Sequence, residues 1–365
     1  MKLLYLVPNC NTEGGVARVL SIKTNYLIEK CGYEIHILTQ NNGNYKQFYN
    51  FNSKIIFQDM VLDGNSFQFL KKYQKNLKQH ISIIKPEVII VCDNGLKAFT
   101  VPFILNTNIP LLFECHGSKY IQENNSKNSY LSQGFGFLKY KFKDFSAQKF
   151  DLFIALSEES LQEWKVSKAA VIPNPSWITT TTDNLLEKKK VITVARNSYE
   201  KGLDRLLSIW QKISKVHPDW VLEIYGDGLE PLAVLAETLQ ISSSISFNKS
   251  VVNIEEKYKE VSLYVMTSRS EGFPMVLIEA MASGLPCIAY DCPVGPRAII
   301  SNSENGFLIE NGNESQFVDQ LSLLMRDAVL RKELGNNAAE TAAKYDLDKI
   351  MLQWKTLFET VINKN

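Results

Sequence analysis

The stretch "SLYVMTSRSEGFPMVLIEAMASGLPCIAY", residues 262–290, decides the fold. It opens on an apolar run, passes through a polar loop into a Gly-Phe-Pro turn, continues as "PMVLIEAMASG" with helical spacing, and ends on a second apolar run. Both apolar runs are nearly continuous rather than alternating. Strands of that kind are buried on both faces, which is the pattern of a parallel sheet covered by helices. The unit is strand, helix, strand, and it carries two glutamates, Glu271 and Glu279, around the turn that starts the helix.

The same rhythm extends in both directions and runs twice. Upstream, "KLLYLVP", "EIHILTQ", "KIIFQ", "EVIIVC", "IPLLFE" and "FDLFIALS" read as strands, with helices over "GVARVLSIKTNYLIEKCG" and "FQFLKKYQKNLKQHISIIK". In the second half "KKVITVAR", "WVLEIYG", "SISFN", "SLYVMTS" and "LPCIAY" read as strands. Between them lie "GLDRLLSIWQKISKVH", "EPLAVLAETLQ" and "PMVLIEAMASG", with helix again from "IENGNESQF" onward. The expectation is an α/β chain of two Rossmann-like, doubly wound parallel-sheet domains. Its 365 residues suit two domains of roughly 100–200 residues each. The polar stretch 173–190 has turn formers and charges but no apolar period, so the boundary is placed there. The expected domains are 1–172 plus 348–365, to which the last helix returns, and 173–347.

Composition excludes several classes. With 45% hydrophobic and 22% charged residues the chain reads as globular. The apolar run of "MKLLYLVPNC" is stopped by Pro8 and Asn9, so it is taken as a first strand rather than a signal peptide. No run approaches the ~18 apolar residues of a membrane span. The six cysteines are scattered without a Cys-x-x-Cys pair, which points to a reducing, cytoplasmic compartment and away from zinc. Residues 1–180 hold 20 Lys+Arg against 14 Asp+Glu, and the remainder 20 against 25. The first half is therefore basic and the second acidic, while a net charge of +1 argues against nucleic acid as a partner. Within the basic half, 135–150 ("FGFLKYKFKDFSAQKF") interleaves lysines with aromatics. It fits either a helix packing its aromatics inside its own domain or one lying on an anionic membrane.

In open parallel sheets, ligands bind at the C-terminal ends of the strands. Four loops leave such ends with suitable residues. "CNTEGGVARV" brings Gly14 and Gly15 to a helix start, where they serve either a tight turn or the close approach of a phosphate or sugar. The spacing is not Gly-x-Gly-x-x-Gly, so no dinucleotide fingerprint is present. "LLFECHGSKY" places His116 just beyond a strand, as a structural or a ligand-facing histidine. "VARNSYEKGLDRLL" brings Arg196 and Lys201 to the entrance of a helix, a natural diphosphate site. In the opening stretch Pro274 is expected at the first helical position, leaving the amides of Met275 and Val276 for an anion. Glu271 and Glu279 cannot form a close acid–base pair, but can grip two parts of one elongated ligand. "DLD" at 346–348 reads as capping, so no metal site is assigned.

Taken together these residues resemble a family. "EGFPMVLIEA" is similar to the Glu-x7-Glu motif of retaining glycosyltransferases with the two-Rossmann-domain GT-B architecture, specifically glycosyltransferase family 4. The resemblance spans the chain through the Gly-rich first loop, His116, Arg196, Lys201, "YGDGLE" (225–230), the motif itself and a final helix crossing back. One departure is "IPNPSW" (172–177): many relatives have Pro-Asn-Gly at this joint, whereas Pro175 follows Asn174 here. "DCPVGPRAII" (291–300) resembles members that build bacterial surface polysaccharide or lipopolysaccharide from UDP-sugars.

The resemblance implies two domains facing a central cleft, and retaining, metal-independent transfer of a hexose or N-acetylhexosamine. The donor would be a nucleotide sugar, UDP-linked, and the acceptor a glycan or polyprenyl-linked glycan. It implies Arg196 and Lys201 at the diphosphate, Glu279 at the ribose and Glu271 at the donor sugar. His116 would lie against the transferred sugar, with Gly15 near acceptor or phosphate. Gly226, Val251, Gly272, Phe273, Met275 and Val276 would line the donor site and Asn174 the joint. No cofactor is implied, and the place of work would be the cytoplasm, at the inner membrane face. Two other readings stay open: a hydrolysing nucleotide-sugar epimerase on the same scaffold, and a non-catalytic nucleotide- or glycan-binding protein.

Overall fold

The computed structural model describes residues 1–363 apart from 13, 44, 121–129 and 185, and apart from the side chains of 66, 67, 130–135 and 137. The middle of the loop 118–136, where the sequence offers no rule for acceptor contacts, lies outside the described residues. Two compact units are present: residues 1–120, 130–175 and 348–363 form one, and residues 176–347 the other.

The first unit is built on seven strands: β1 (Lys2–Leu6), β2 (Glu34–Gln40), β3 (Ile56–Met60), β4 (Val88–Val91), β5 (Leu111–Glu114), β6 (Leu152–Ala155) and β7 (Ala169–Val171). They pair in parallel in the order β3-β2-β1-β4-β5-β6-β7. The chain winds outward from β1 one way, then from β4 the other. The second unit repeats this with β8 (Lys190–Val194), β9 (Val221–Tyr225), β10 (Ile245–Asn248), β11 (Leu263–Met266), β12 (Cys287–Asp291) and β13 (Gly306–Glu310). Their order is β10-β9-β8-β11-β12-β13, again parallel. Two doubly wound sheets of seven and six strands are thus the architecture.

The reason is visible in burial. "VIIV" of β4 and "LYVM" of β11 are buried at every position, so neither strand has a wet face. The helix Leu203–Val216 closes one face of the second sheet by burying Leu206, Leu207, Trp210 and Ile213 against Leu222, Leu263 and Val265. In the first unit Phe99, Phe113, Phe153 and Trp164 stack into one aromatic core, with centroid separations of 4.8 to 6.4 Å.

Several sequence expectations shift. β7 and β13 were not expected: "AAV" is only half-buried, and "GFLIE" runs into a stretch read as helical, which in fact begins at Glu314. β3 starts two residues later than "KIIFQ". Pro274 is the N-cap of the helix Met275–Ala282 rather than its first residue, because its carbonyl accepts from the Leu277 amide at 3.0 Å. Among the described residues, no helix is long and apolar enough to cross a membrane.

Candidate functional site

In the second unit the winding reverses between β8 and β11, and the crevice beyond such a reversal is where ligands sit. Two loops leave these strand ends, 195–202 and 267–274, and they are fastened to each other. Gly202 has φ of +60°, and a Cβ there would lie 2.3 Å from the Thr267 carbonyl oxygen, so only glycine fits. Thr267 Oγ1 donates to the Gly202 carbonyl at 2.9 Å. Arg269 completes the splice: its fork donates to both oxygens of Asp204 (2.8 and 2.5 Å) and to the Tyr199 carbonyl (2.8 Å), and its amide donates to the Glu200 carbonyl at 2.6 Å. The fork holds the Asp204 carboxyl below its ordinary range.

This splice brings together two residues singled out in the sequence. Lys201 Nζ donates to both oxygens of Glu271, at 2.7 and 2.9 Å, and Ser268 Oγ donates to Oε1 at 2.6 Å. Glu271 is almost fully buried, while the Lys201 side chain keeps 27% of its surface in water. The ammonium thereby stays partly open to water, fixed from behind by the carboxylate. Arg196, at the end of β8, is exposed. Against the effect of burial, Glu200's own amide holds its carboxyl below the ordinary value, with the charges of Arg196 and Lys201 adding to it.

Beside the pair, the helix Met275–Ala282 presents the amides of Met275 and Val276, which as first and second helical residues have no carbonyl within the helix to bond. The partial positive charge of a helix N-terminus therefore faces the same loops as Lys201. The turn is braced from the "DCPVGP" side. Glu271 bridges Val294, a β-branched residue at φ of +77°, and a Cβ on Gly295 would fall 2.5 Å from Pro274 Cδ and 3.0 Å from Glu271 Cβ. A β-branched residue in the left-handed region is strained and persists only where its surroundings impose it. Phe273, buried, meets the Tyr345 ring edge-on at 5.6 Å, and Gly272 beside it is half-buried.

Glu279 lies deeper on the same helix, 5% exposed, and accepts from Tyr258 Oη at 3.2 Å. Burial, then the Glu279 charge, pushes the Tyr258 phenol well above its ordinary range, so it remains a donor. Gly226 permits β8 and β9 to close up, since a Cβ there would sit 2.0 Å from the Ala195 carbonyl oxygen. The adjoining loops are tied by Asn197 N to the Asp227 carbonyl (2.9 Å), Gly226 N to the Asn248 carbonyl (2.9 Å) and Ser250 Oγ to Asp227 (3.0 Å). Val251 stands exposed beyond them.

The first unit holds the remaining candidates. Gly14 is the N-cap of the helix Gly15–Cys31, extended at φ −68°, ψ 150°, and among the described residues nothing beyond its chain neighbours and its own helix backbone lies within 4 Å of where a Gly15 Cβ would stand. Asn174 is buried at the end of this unit's run. His116 follows β5, its Nε2 3.2 Å from Glu114 Oε1. Glu114 is fully buried, as is Lys23 of the first helix, whose Nζ lies 2.5 Å from the same oxygen and 3.4 Å above the Trp354 ring. Burial works against ionising Glu114, but the Lys23 charge, and then His116, outweigh it and hold the carboxyl far below its ordinary range. Cys92, Glu114 and His116 offer three ligand atoms within 4.8 Å of one another. With the Lys23 ammonium on that carboxylate, the cation place of the cluster is already filled.

Sequence reading missed Tyr258, Ser268, Arg269, Lys23 and Glu114. Each acts on a residue far away or on a neighbour's orientation, and neither leaves a local period.

Comparison with known proteins now adds to this geometry. Residues 181–341 match the model of the family described as Glycosyl transferases group 1. An uncharacterized glycosyltransferase of Haemophilus influenzae is 29% identical over 97% of this chain and 99% of its own length. The amylovoran biosynthesis glycosyltransferase AmsD of Erwinia amylovora is 26% identical over 98% and 99%. A solved structure of S. aureus TarM, in complex with fondaparinux, alpha-GlcNAc-glycerol and UDP, superposes with a TM-score of 0.73 at 18% identity, covering 98% of this chain and 99% of that one. This chain carries a glycosyl transferases group 1 domain on the GT-B fold and is a homologue of bacterial glycosyltransferases.

Proposed function

We propose that the protein is a retaining glycosyltransferase of family 4 that moves a hexose or N-acetylhexosamine from a UDP-sugar to a glycan or polyprenyl-linked glycan in bacterial surface polysaccharide synthesis. One observation carries the reading. A buried carboxylate presents a lysine ammonium beside two free helix amides at the switch point of the second sheet. Fixed positive charge of this kind suits a diphosphate, as ground-state ligand and as leaving group, because it needs no reorganisation when charge develops. Arg196 adds a forked donor at the rim.

The buried Glu279, held by Tyr258, is assigned to ribose hydroxyls, and the loops at Gly226 and Val251 to the base. Glu271 has two tasks in this reading: it accepts from the donor sugar and it positions Lys201. His116 is assigned to the transferred sugar and Gly15 to the close approach of acceptor or phosphate. Double displacement needs a carboxylate nucleophile opposite the leaving group. Neither glutamate is assigned that role, so transfer on a single face is the mechanism adopted, the diphosphate oxygen taking the acceptor proton. The positive charge for the diphosphate comes from Arg196, Lys201 and the amides, and no metal is given a part. The UDP assignment is supported by the likeness of the "DCPVGPRAII" stretch to members that use UDP-sugars and by the UDP bound in the TarM complex.

A thermal-shift panel of the full chain with UDP, GDP, ADP and UDP-sugars, with and without Mg²⁺, tests this. Ligand at ~100 times its dissociation constant adds about 2.7 kcal/mol of stability. A shift with UDP and one UDP-sugar, indifferent to Mg²⁺, is the expected result. No shift with any nucleotide would remove the diphosphate site and the proposal together.

A further inference from the structure

The fully buried ion pair beneath His116 is not used by the function proposed above. Glu114 ends β5, two residues before His116; its Oε1 accepts from Lys23 Nζ (2.5 Å) and stands at an ion-pair distance of 3.2 Å from His116 Nε2, while Oε2 lies 3.4 Å from Cys92 Sγ. Its surroundings come from four elements. Lys23 lies on the first helix, Tyr5 on β1, Cys92 just past β4, and Trp354 on the last helix with its ring against the ammonium. Tyr5 Oη, buried, has no hydrogen-bond partner among the described residues. A carboxylate and an ammonium both 1% exposed are costly to assemble, and an apolar pair of similar shape is often at least as stable. Packing alone does not account for them.

We infer that Glu114, kept in place by Lys23, is a positioning residue that captures His116 through Nε2 and leaves Nδ1 as the ring nitrogen turned to substrate. A neutral imidazole whose Nε2 carries the proton has a bare Nδ1, which accepts a hydrogen bond and donates none. His116 would therefore recognise a sugar hydroxyl by accepting its hydrogen. A substrate that offers only an acceptor at that place, such as a deoxy-fluoro sugar, would lose the contact. Lys23 supplies the opposite charge that lets the carboxylate stay ionised in a dry site, and the Trp354 ring lies 3.4 Å from the ammonium. The inference rests on the reading that His116 meets the transferred sugar, but its first test does not.

The full chain, labelled with ¹⁵N-histidine, carries four histidines, and loss of one signal set in His116→Gln assigns His116. At pH 8 the long-range ¹H–¹⁵N spectrum should show the proton on Nε2. The double variant Glu114→Gln/Lys23→Met keeps an acceptor carbonyl without stranding a charge and should preserve that tautomer. Glu114→Leu/Lys23→Met should relax toward the mixed tautomers of an unheld imidazole, with a measurable share of the proton on Nδ1. Donor turnover should follow the same order, kcat falling by roughly 10- to 100-fold in the leucine variant with donor KM unchanged, and recovering in the glutamine variant. A proton on Nδ1 in the wild type, or an unchanged ring in the leucine variant, would overturn the inference. If neither double variant folds, the wild-type ring decides: a proton held wholly on Nε2 supports the contact, and the tautomer mixture of a free imidazole overturns it. If the wild type turns over no donor, the proposed function fails while the ring measurement still judges the Glu114–His116 contact.

Discussion

Lys201 and Glu271 are 70 residues apart in sequence and bonded at both carboxylate oxygens in space. Replacing Glu271 by Ala frees the ammonium and removes the proposed sugar contact together, so transfer should fall by at least 100-fold while the melting temperature moves little, as both fastenings at Thr267 and Arg269 remain. Retained turnover in a folded Glu271→Ala protein would refute its role. Tyr258→Phe is subtler. It deletes the one hydroxyl that donates to Glu279 from the helix Ile254–Tyr258. A hydrogen bond to a charged group contributes about 1.5–3 kcal/mol, so nucleotide affinity by calorimetry should weaken by roughly tenfold or more. Glu271, Glu279 and Lys201 were legible in the sequence because a turn, a helix start and a strand end mark their places. Tyr258 was not, because nothing near "EEKYKE" announces that its hydroxyl reaches a glutamate 21 residues on.

At the scale of elements, the loops after β8 and β11 behave as one piece. Gly202→Ala should cost about 2 kcal/mol or more, since it combines a left-handed backbone with a 2.3 Å approach to a carbonyl oxygen. Thermal melts check this, and a change within error would show that the splice is looser than described. The first unit gives a pH prediction. The Glu114 carboxyl lies below its ordinary value of 4.5, because Lys23 and His116 outweigh its burial. Its contribution to stability is complete above that value and is lost as pH falls below it. Glu114→Gln/Lys23→Met should thus show a flatter stability–pH curve than wild type below about pH 5 in denaturant titrations, and equal slopes would contradict the assignment. The parallel sheets were legible from strands apolar at every position, as in "VIIV" and "LYVM". β7 and β13 were not, since three half-buried alanine and valine residues, and five residues opening on glycine, carry too little apolar signal.

At the scale of the molecule, the basic first half has a surface of its own. The helix Tyr130–Ala147 turns Lys143 inward over the Phe99 ring and leaves Leu138, Phe142 and Phe145 exposed, with Phe103 stacked on the last two at 6.3 and 5.7 Å. One face of 135–150 thus packs inside its own unit, as the first of the two sequence readings expects, and the other stays apolar in water. A peripheral contact with an anionic membrane is the proposal that follows, in keeping with a lipid-linked acceptor. Phe142→Ser/Phe145→Ser should cut cosedimentation with vesicles containing anionic lipid by at least tenfold, since each buried aromatic contributes about 1.5–3 kcal/mol. Unchanged cosedimentation would remove the proposal and leave catalysis untouched.

The proposed function stands on a diphosphate held in the second unit by Lys201 and the amides of Met275 and Val276. Calorimetric titration of the full chain and of Lys201→Ala with UDP and with uridine tests it most directly. UDP should bind far more tightly than uridine, and Lys201→Ala should weaken UDP by roughly 10- to 100-fold while leaving uridine unchanged. Equal affinities for UDP and uridine, or a UDP affinity indifferent to Lys201, would contradict it.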